Sequence, residues 1–185
     1  MSRQFYFFDR PRRFVVGTVG QPGERVFFLQ AADDHRIVSV ALEKSQVLVL
    51  AERMEQLLEE VGNAVGSEVV EPDTAPLENP IDEEFRVAAM GLAYDTDSGL
   101  IVVEAQAPAE SPEEAETTLL EDTEDGPDAL RVRITAEEAR SFVDRARRVI
   151  AAGRPPCPLC GQPLDPEGHV CPRQNGYHRG VVLEQ

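Results

Sequence analysis

The hydrophobic and polar positions set out the elements in order. Residues 4–8, Gln-Phe-Tyr-Phe-Phe, are aromatic and strand-like, and Asp9-Arg-Pro11 breaks the run. Residues 13–19 predict a second strand, Gly20-Gln-Pro-Gly23 a turn, and 24–31 the returning strand. Asp33-Asp34 predicts the next turn and 35–42 another strand. The period then changes. Leu50, Met54, Leu57, Leu58 and Val61 recur at three and four residues, so a helix with one apolar face is expected over 44–61, stopped by Gly62-Asn63.

Residues 63–80 are polar and dotted with proline, and read as a loop. A strand is expected over 85–94, a turn over 95–98 and a strand over 99–107. Residues 108–128 are acidic, poor in apolar side chains and without a basic residue. Such a stretch buries too little to offset its ordering entropy, so a mobile insert is expected. A last strand follows over 129–134. Thr135-Ala-Glu-Glu138 then has the spacing of a capping box, which opens a helix running to about Ala152. Ala139, Phe142, Val143, Ala146, Val149 and Ile150 form its apolar face.

Strand-strand-strand-helix thus occurs twice. The last strand and helix of each copy align without a gap, Leu42 with Ile134, Gln46 with Glu138, Leu50 with Phe142 and Arg53 with Arg145. The fold class expected is α+β: two β-β-β-α repeats forming antiparallel sheet or sheets, covered by two helices. Residues 1–153 make this domain, with repeats at 1–62 and 85–153 and a linker at 63–84. A groove between the repeats would be a natural ligand site, with Arg12, Arg13 and Arg145 as candidate anion-binding residues.

Charge narrows the function. With 34 acidic against 18 basic residues the net charge is −16, which disfavours binding to nucleic acid through its phosphates. No apolar run reaches membrane-spanning length and no export signal opens the chain, so a cytoplasmic protein without a membrane partner is expected. His35 beside Asp33 and Asp34, and Asp95 with Asp97, read as turn chemistry. No phosphate-cradling glycine loop or nucleophile elbow is present.

The strongest chemical signal lies at the far end. Cys157-Pro-Leu-Cys160-Gly is followed by His169-Val-Cys171, and these hold all three cysteines of the chain. Three thiolates and one imidazole match a closed, structural Zn²⁺ site. The fourth ligand is His169 or His178. His169 and Cys171, two residues apart, point to one side of an extended segment, which favours His169. A disulfide suits an odd cysteine count poorly, and a redox pair lacks its βαβ setting. Residues 154–185 therefore form a small zinc-binding tail, short on apolar surface and ordered by metal. Arg173, Asn175 and Tyr177 are its candidate partner-binding residues.

The opening Arg3-Gln-Phe-Tyr-Phe-Phe-Asp9 and the ending, Cys157-Pro-x-Cys-Gly-x-Pro-Leu-Asp-Pro-x-Gly-His-x-Cys-Pro-Arg-x-Asn-Gly-Tyr177, resemble an actinobacterial family known as a domain of unknown function. The resemblance implies no activity. It also implies His169 as the ligand, because such relatives often carry Arg in the place of His178. The function expected is a non-enzymatic zinc-binding interaction or adaptor protein with a protein partner. The alternative is an enzyme of thiol or phosphate metabolism with its anion site in the groove.

Overall fold

The computed structural model describes residues 3–62, 71–153, 155–162, 164 and 169–173. Eight strands and three helices follow in chain order: β1 (Phe5–Asp9), β2 (Arg13–Val19), β3 (Val26–Ala32), β4 (Ile37–Leu42), α1 (Lys44–Val61), β5 (Glu83–Arg86), β6 (Ala89–Asp95), β7 (Leu100–Gln106), α2 (Pro112–Thr118), β8 (Ala129–Ile134) and α3 (Ala136–Ala151). Among these residues no helix is long and apolar enough to cross a membrane.

The strands form two four-stranded sheets, β2-β3-β4-β5 and β1-β8-β7-β6. Each contains a three-strand antiparallel meander, β2-β3-β4 or β6-β7-β8, that leads directly into a helix. The purely antiparallel sheets expected from hairpin spacing need correction. β5 joins β4 in parallel, and β1 joins β8 in parallel. Each sheet therefore takes its fourth strand from the other part of the chain, and a boundary between 62 and 85 divides the sequence but not the core.

The apolar run at 85–94 contains that crossing. Val87 donates its N–H to Ala41 O at 2.8 Å in one sheet, and Ala88 donates to Gln106 O at 2.8 Å in the other. A continuous strand pattern is thus split into β5 and β6 within two residues. Both helices start from capped ends. Glu43 N–H donates to Gln46 Oε1 at 2.7 Å before α1, and Thr135 N–H to Glu138 Oε2 at 2.8 Å before α3.

The inner faces of both sheets and the apolar faces of α1 and α3 bury one continuous core. Phe8, Val16, Leu29, Val40, Leu50, Met54, Ile101, Val132 and Phe142 all belong to it. α1 and α3 pack on each other, α3 lies on β2, and α1 lies on β6. Phe142 of α3 stacks on Phe14 of β2 with ring centroids 4.9 Å apart.

Each sheet also has an outer face with a polar residue at its centre. On β3, Gln30 donates to Ser39 Oγ at 3.0 Å and to Glu78 O at 2.9 Å, and accepts from Glu78 N at 2.8 Å. These bonds fasten the segment beyond Asp73 across the sheet, where Leu77 fills the space left by Gly17. A Cβ there would come within 2.6 Å of Leu77 Cγ. On β7, Glu104 is fully buried. It accepts from Arg131 Nε at 2.5 Å, Gln106 Nε2 at 2.8 Å, Arg3 Nη2 at 3.3 Å and Leu120 N at 3.3 Å.

That second cover is the acidic stretch 108–128, expected from its composition to be a mobile insert; in the structure it contains α2 and lies against the sheet. Ser111 caps α2 by accepting from Glu114 N at 3.1 Å. Leu119 and Leu120 fill the space above Gly91, and Arg3 donates to Thr123 Oγ1 at 2.8 Å. Few apolar groups are needed because cations from the sheet face supply the binding. Glu104→Ala should accordingly lower the unfolding free energy in urea by about 3–5 kcal/mol, since two guanidinium groups lose a buried counter-charge. A loss under about 1 kcal/mol, the range of a surface pair, would show that the cover does not depend on it.

Candidate metal centre

The Cys157-x-x-Cys160 segment folds into a tight turn. Gly161 N–H donates to Cys157 O at 2.8 Å, Cys157 N–H to Gln162 O at 2.7 Å, and Leu164 N–H to Pro155 O at 2.9 Å. Gly161 has φ +74°, a left-handed conformation that glycine adopts without steric cost. Among the described residues none lies within 4 Å of a Cβ built there, so the backbone conformation is what calls for glycine.

This turn and the segment at 169–171 bring four donor atoms together. The ligand atoms of Cys157, Cys160, His169 and Cys171 all lie within 4.8 Å of one another. Cys157 Sγ stands 3.9 Å from Cys171 Sγ, and Cys160 Sγ 3.2 Å from His169 Nε2. Donors set about 2.0–2.3 Å from one ion in a tetrahedron would be roughly 3.3–3.8 Å apart, so the residues present fit such an ion. Cys157 and Cys171 are buried, and Cys160 and His169 are partly so. The backbone N–H groups of Cys160 and Leu159 point at Cys157 and hold its thiol below the usual thiol range. A group in that state favours the thiolate that a metal binds.

Of the two histidines considered, the structure brings His169 to the cysteines. His178 lies outside the described residues, as do Asn175 and Tyr177. Arg173 is exposed two residues past Cys171.

The three arginines proposed to bind an anion are placed quite differently, at the edge strand β2. Arg13 and Arg145 do converge, and the anion between them is the chain's own Asp73. Arg13 reaches Asp73 Oδ2 with Nε at 2.7 Å and Oδ1 with Nη2 at 2.8 Å, while Arg145 Nη1 reaches Oδ1 at 2.8 Å. Arg145 Nε also donates to Val16 O at 2.6 Å. Arg12 holds Glu78 through two bonds of 3.1 and 2.9 Å. Where Arg13 and Arg145 meet, their partners are residues 73–76 of the chain itself. Asp73 lies in the polar stretch 63–80, where sequence reasoning assigns it no role. The only local signal for it is a carboxylate set between Pro72 and Pro76, and its side chain also closes a turn by accepting from Ala75 N at 3.1 Å.

The remaining candidates are turns. Asp33 Oδ1 accepts from His35 N at 2.9 Å, and Asp95 Oδ1 accepts from Asp97 N at 3.0 Å. Arg133 pairs with Asp95 Oδ2 at 2.9 Å.

Comparison with known proteins gives one family match. The family described as a protein of unknown function, DUF3090, matches residues 6–171, a span that takes in all four clustered donors. No curated protein and no solved structure matches the chain.

The Asp73 cluster should be visible in the pH dependence of stability. Its carboxyl lies below the usual range, first through its bonds to Arg13 and then through the charges of Arg13 and Arg145. A depressed folded value contributes stability that is complete above the unfolded value near ~3.9 and is lost as pH falls through the folded value. Thermal unfolding of Asp73→Asn should thus show a large deficit at neutral pH that shrinks steadily in acid. A deficit of equal size at every pH would mean that the charge contributes nothing.

Proposed function

Given that the chain belongs to the DUF3090 family of proteins of unknown function, we propose that it is a non-enzymatic, cytoplasmic adaptor whose tail is held by a structural Zn²⁺ ion. The observation that carries this reading is the donor set: three sulfurs and one imidazole nitrogen within 4.8 Å. Soft thiolate and borderline imidazole donors select zinc over magnesium or calcium, which prefer oxygen.

In this reading Cys157, Cys160, His169 and Cys171 fill a tetrahedron, so no position is left for substrate or water. The ion would act as a cross-link. It joins the Cys157–Cys160 turn to the segment around Cys171 and takes the place of an apolar core that so short a tail cannot build. The tail then displays its exposed side chains in a fixed arrangement. Leu159 and Val170 are exposed beside the ligands, and Arg173 follows them. A protein partner would dock on that surface, with Asn175 and Tyr177 as further contacts.

The alternative, an anion-binding enzyme, loses its proposed binding residues to internal pairs. Arg13 and Arg145 are spent on Asp73, and Arg12 on Glu78. We also infer that the two β-β-β-α units derive from one ancestral unit, supported by the matching meanders and capped helices.

Metal analysis of the purified chain beside Cys160→Ser tests the site. The native protein is expected to carry about one zinc per chain and the variant almost none. Hydrogen exchange should then quicken only beyond Pro155. Affinity capture with both proteins tests the adaptor role, and a partner retained by the native chain should be lost by the variant. Full metal content in the variant, or equal capture by both, would overturn the corresponding half of the proposal.

A further inference from the structure

The two meanders can be superposed residue for residue through their registers. Val16 of β2 faces Leu29, and Leu92 of β6 faces Val103. Leu42 faces Phe27, and Ile134 faces Ile101. Each helix starts two residues after the last of these. With no gap between strand and helix, Arg53 of α1 occupies the place that Arg145 occupies on α3. By the same registers Met90 stands for Phe14 and Ala89 for Arg13.

The two places differ in what fills them. Beside edge strand β2, Arg145 is buried against Val16 O and Asp73. There the segment 73–76 runs past, its carbonyls at Asp73, Ala75 and Pro76 all accepting from arginines. Beside edge strand β6 lies a groove of about 560 Å³ with Gln46, Val49, Leu50, Arg53, Met90 and Leu92 in its walls. β6 ends its sheet, and no described strand pairs with its outer edge. Arg53 is exposed and makes no hydrogen bond or ion pair with any described residue. Val49 is 45 % exposed, far more than a helix face packed on protein would leave.

We propose that the α1–β6 groove binds an extended acidic segment of a partner protein. Its carboxylate pairs with Arg53 and its backbone lies along the free edge of β6, in the manner of an added strand. The occupant's chemistry is copied from the chain itself, which shows what this architecture accepts: a carboxylate whose neighbouring backbone carbonyls also accept from arginines. One difference sets the strength. Of the arginines that grip Asp73, only Arg145 has an arginine counterpart, since Ala89 replaces Arg13 and Gln56 replaces Arg148. The groove therefore holds its ligand through one guanidinium and releases it readily. This site is independent of the metal centre.

The probe is a fluorescent peptide with the sequence of residues 71–80, titrated with the full chain and followed by anisotropy. Saturable binding is expected. Arg53→Ala should weaken it about tenfold, the usual loss for one charge-assisted pair. The peptide carrying Asp73→Asn should lose the same factor against the native chain and nothing more against Arg53→Ala. Arg53 is exposed, so the variant should keep the native unfolding midpoint. Binding that ignores Arg53→Ala, or no saturation, would overturn the proposal. Self-association abolished by Arg53→Glu would give the groove to a second copy and overturn it equally. Cys160→Ser should bind the peptide as the native chain does, so a failure of the zinc reading leaves this result untouched.

Discussion

Neither sheet is complete without a strand from the other part of the chain. β1 closes the sheet of β6, β7 and β8, and β5 closes that of β2, β3 and β4. Both exchanged strands pair in parallel, and each carries one large buried side chain, Phe8 or Phe85, into the common core. The exchange turns two marginal units into one. A three-strand meander with a single helix leaves one flank of its apolar face open. Here each helix instead packs on the first meander strand of the opposite unit, α3 on β2 and α1 on β6, and the two helices pack on each other. Nearly all other features of the body follow from having to cover what this arrangement leaves exposed.

What it leaves exposed is the two outer sheet faces, and they are covered by polar means. Gln30 and Glu104 sit at matching places on β3 and β7, and each bonds the backbone of an irregular segment laid over it. The neutral amide suffices where Leu77, Val15 and Phe28 supply apolar contact. The carboxylate, flanked by Arg3 and Arg131, serves where the cover is acidic and has little but Leu119 and Leu120 to bury. The edges are treated unequally. β2 is sealed by residues 73–76 through Arg13 and Arg145, while β6 faces an open groove with Arg53 at its wall. That asymmetry within a symmetric frame is where recognition can be placed without disturbing the fold.

The tail obeys a different physics. Among its described residues, local turn bonds and the approach of four donors within 4.8 Å of one another shape it, and Cys157 and Cys171 are the buried side chains. Body and tail thus divide the work by mechanism. One is held by a shared apolar core, and the other gathers four donors that could hold a metal ion.

Elements whose cause is local were legible from the residues alone. The helical period in Leu50, Met54 and Leu58, the capping pair Thr135 and Glu138, the turn at Gly20–Gly23, and the spacing of Cys157, Cys160, His169 and Cys171 all act within a few residues, and the structure shows each. The split of the 85–94 run at Val87–Ala88 was not legible, because both halves alternate as strands and only the position of two separate sheets decides where the chain must cross. The packing of 108–128 was hidden for a related reason. Its own composition is that of a solvated loop, and its stabilising partners, Arg3 and Arg131, lie outside it. Likewise Asp73 acquires meaning only when Arg13 and Arg145, 60 and 72 residues away, meet around it. Periodicity, capping and ligand spacing are written into neighbouring residues. Parallel pairing, cover and counter-charge depend on which distant segments share a face, and only the folded chain decides that.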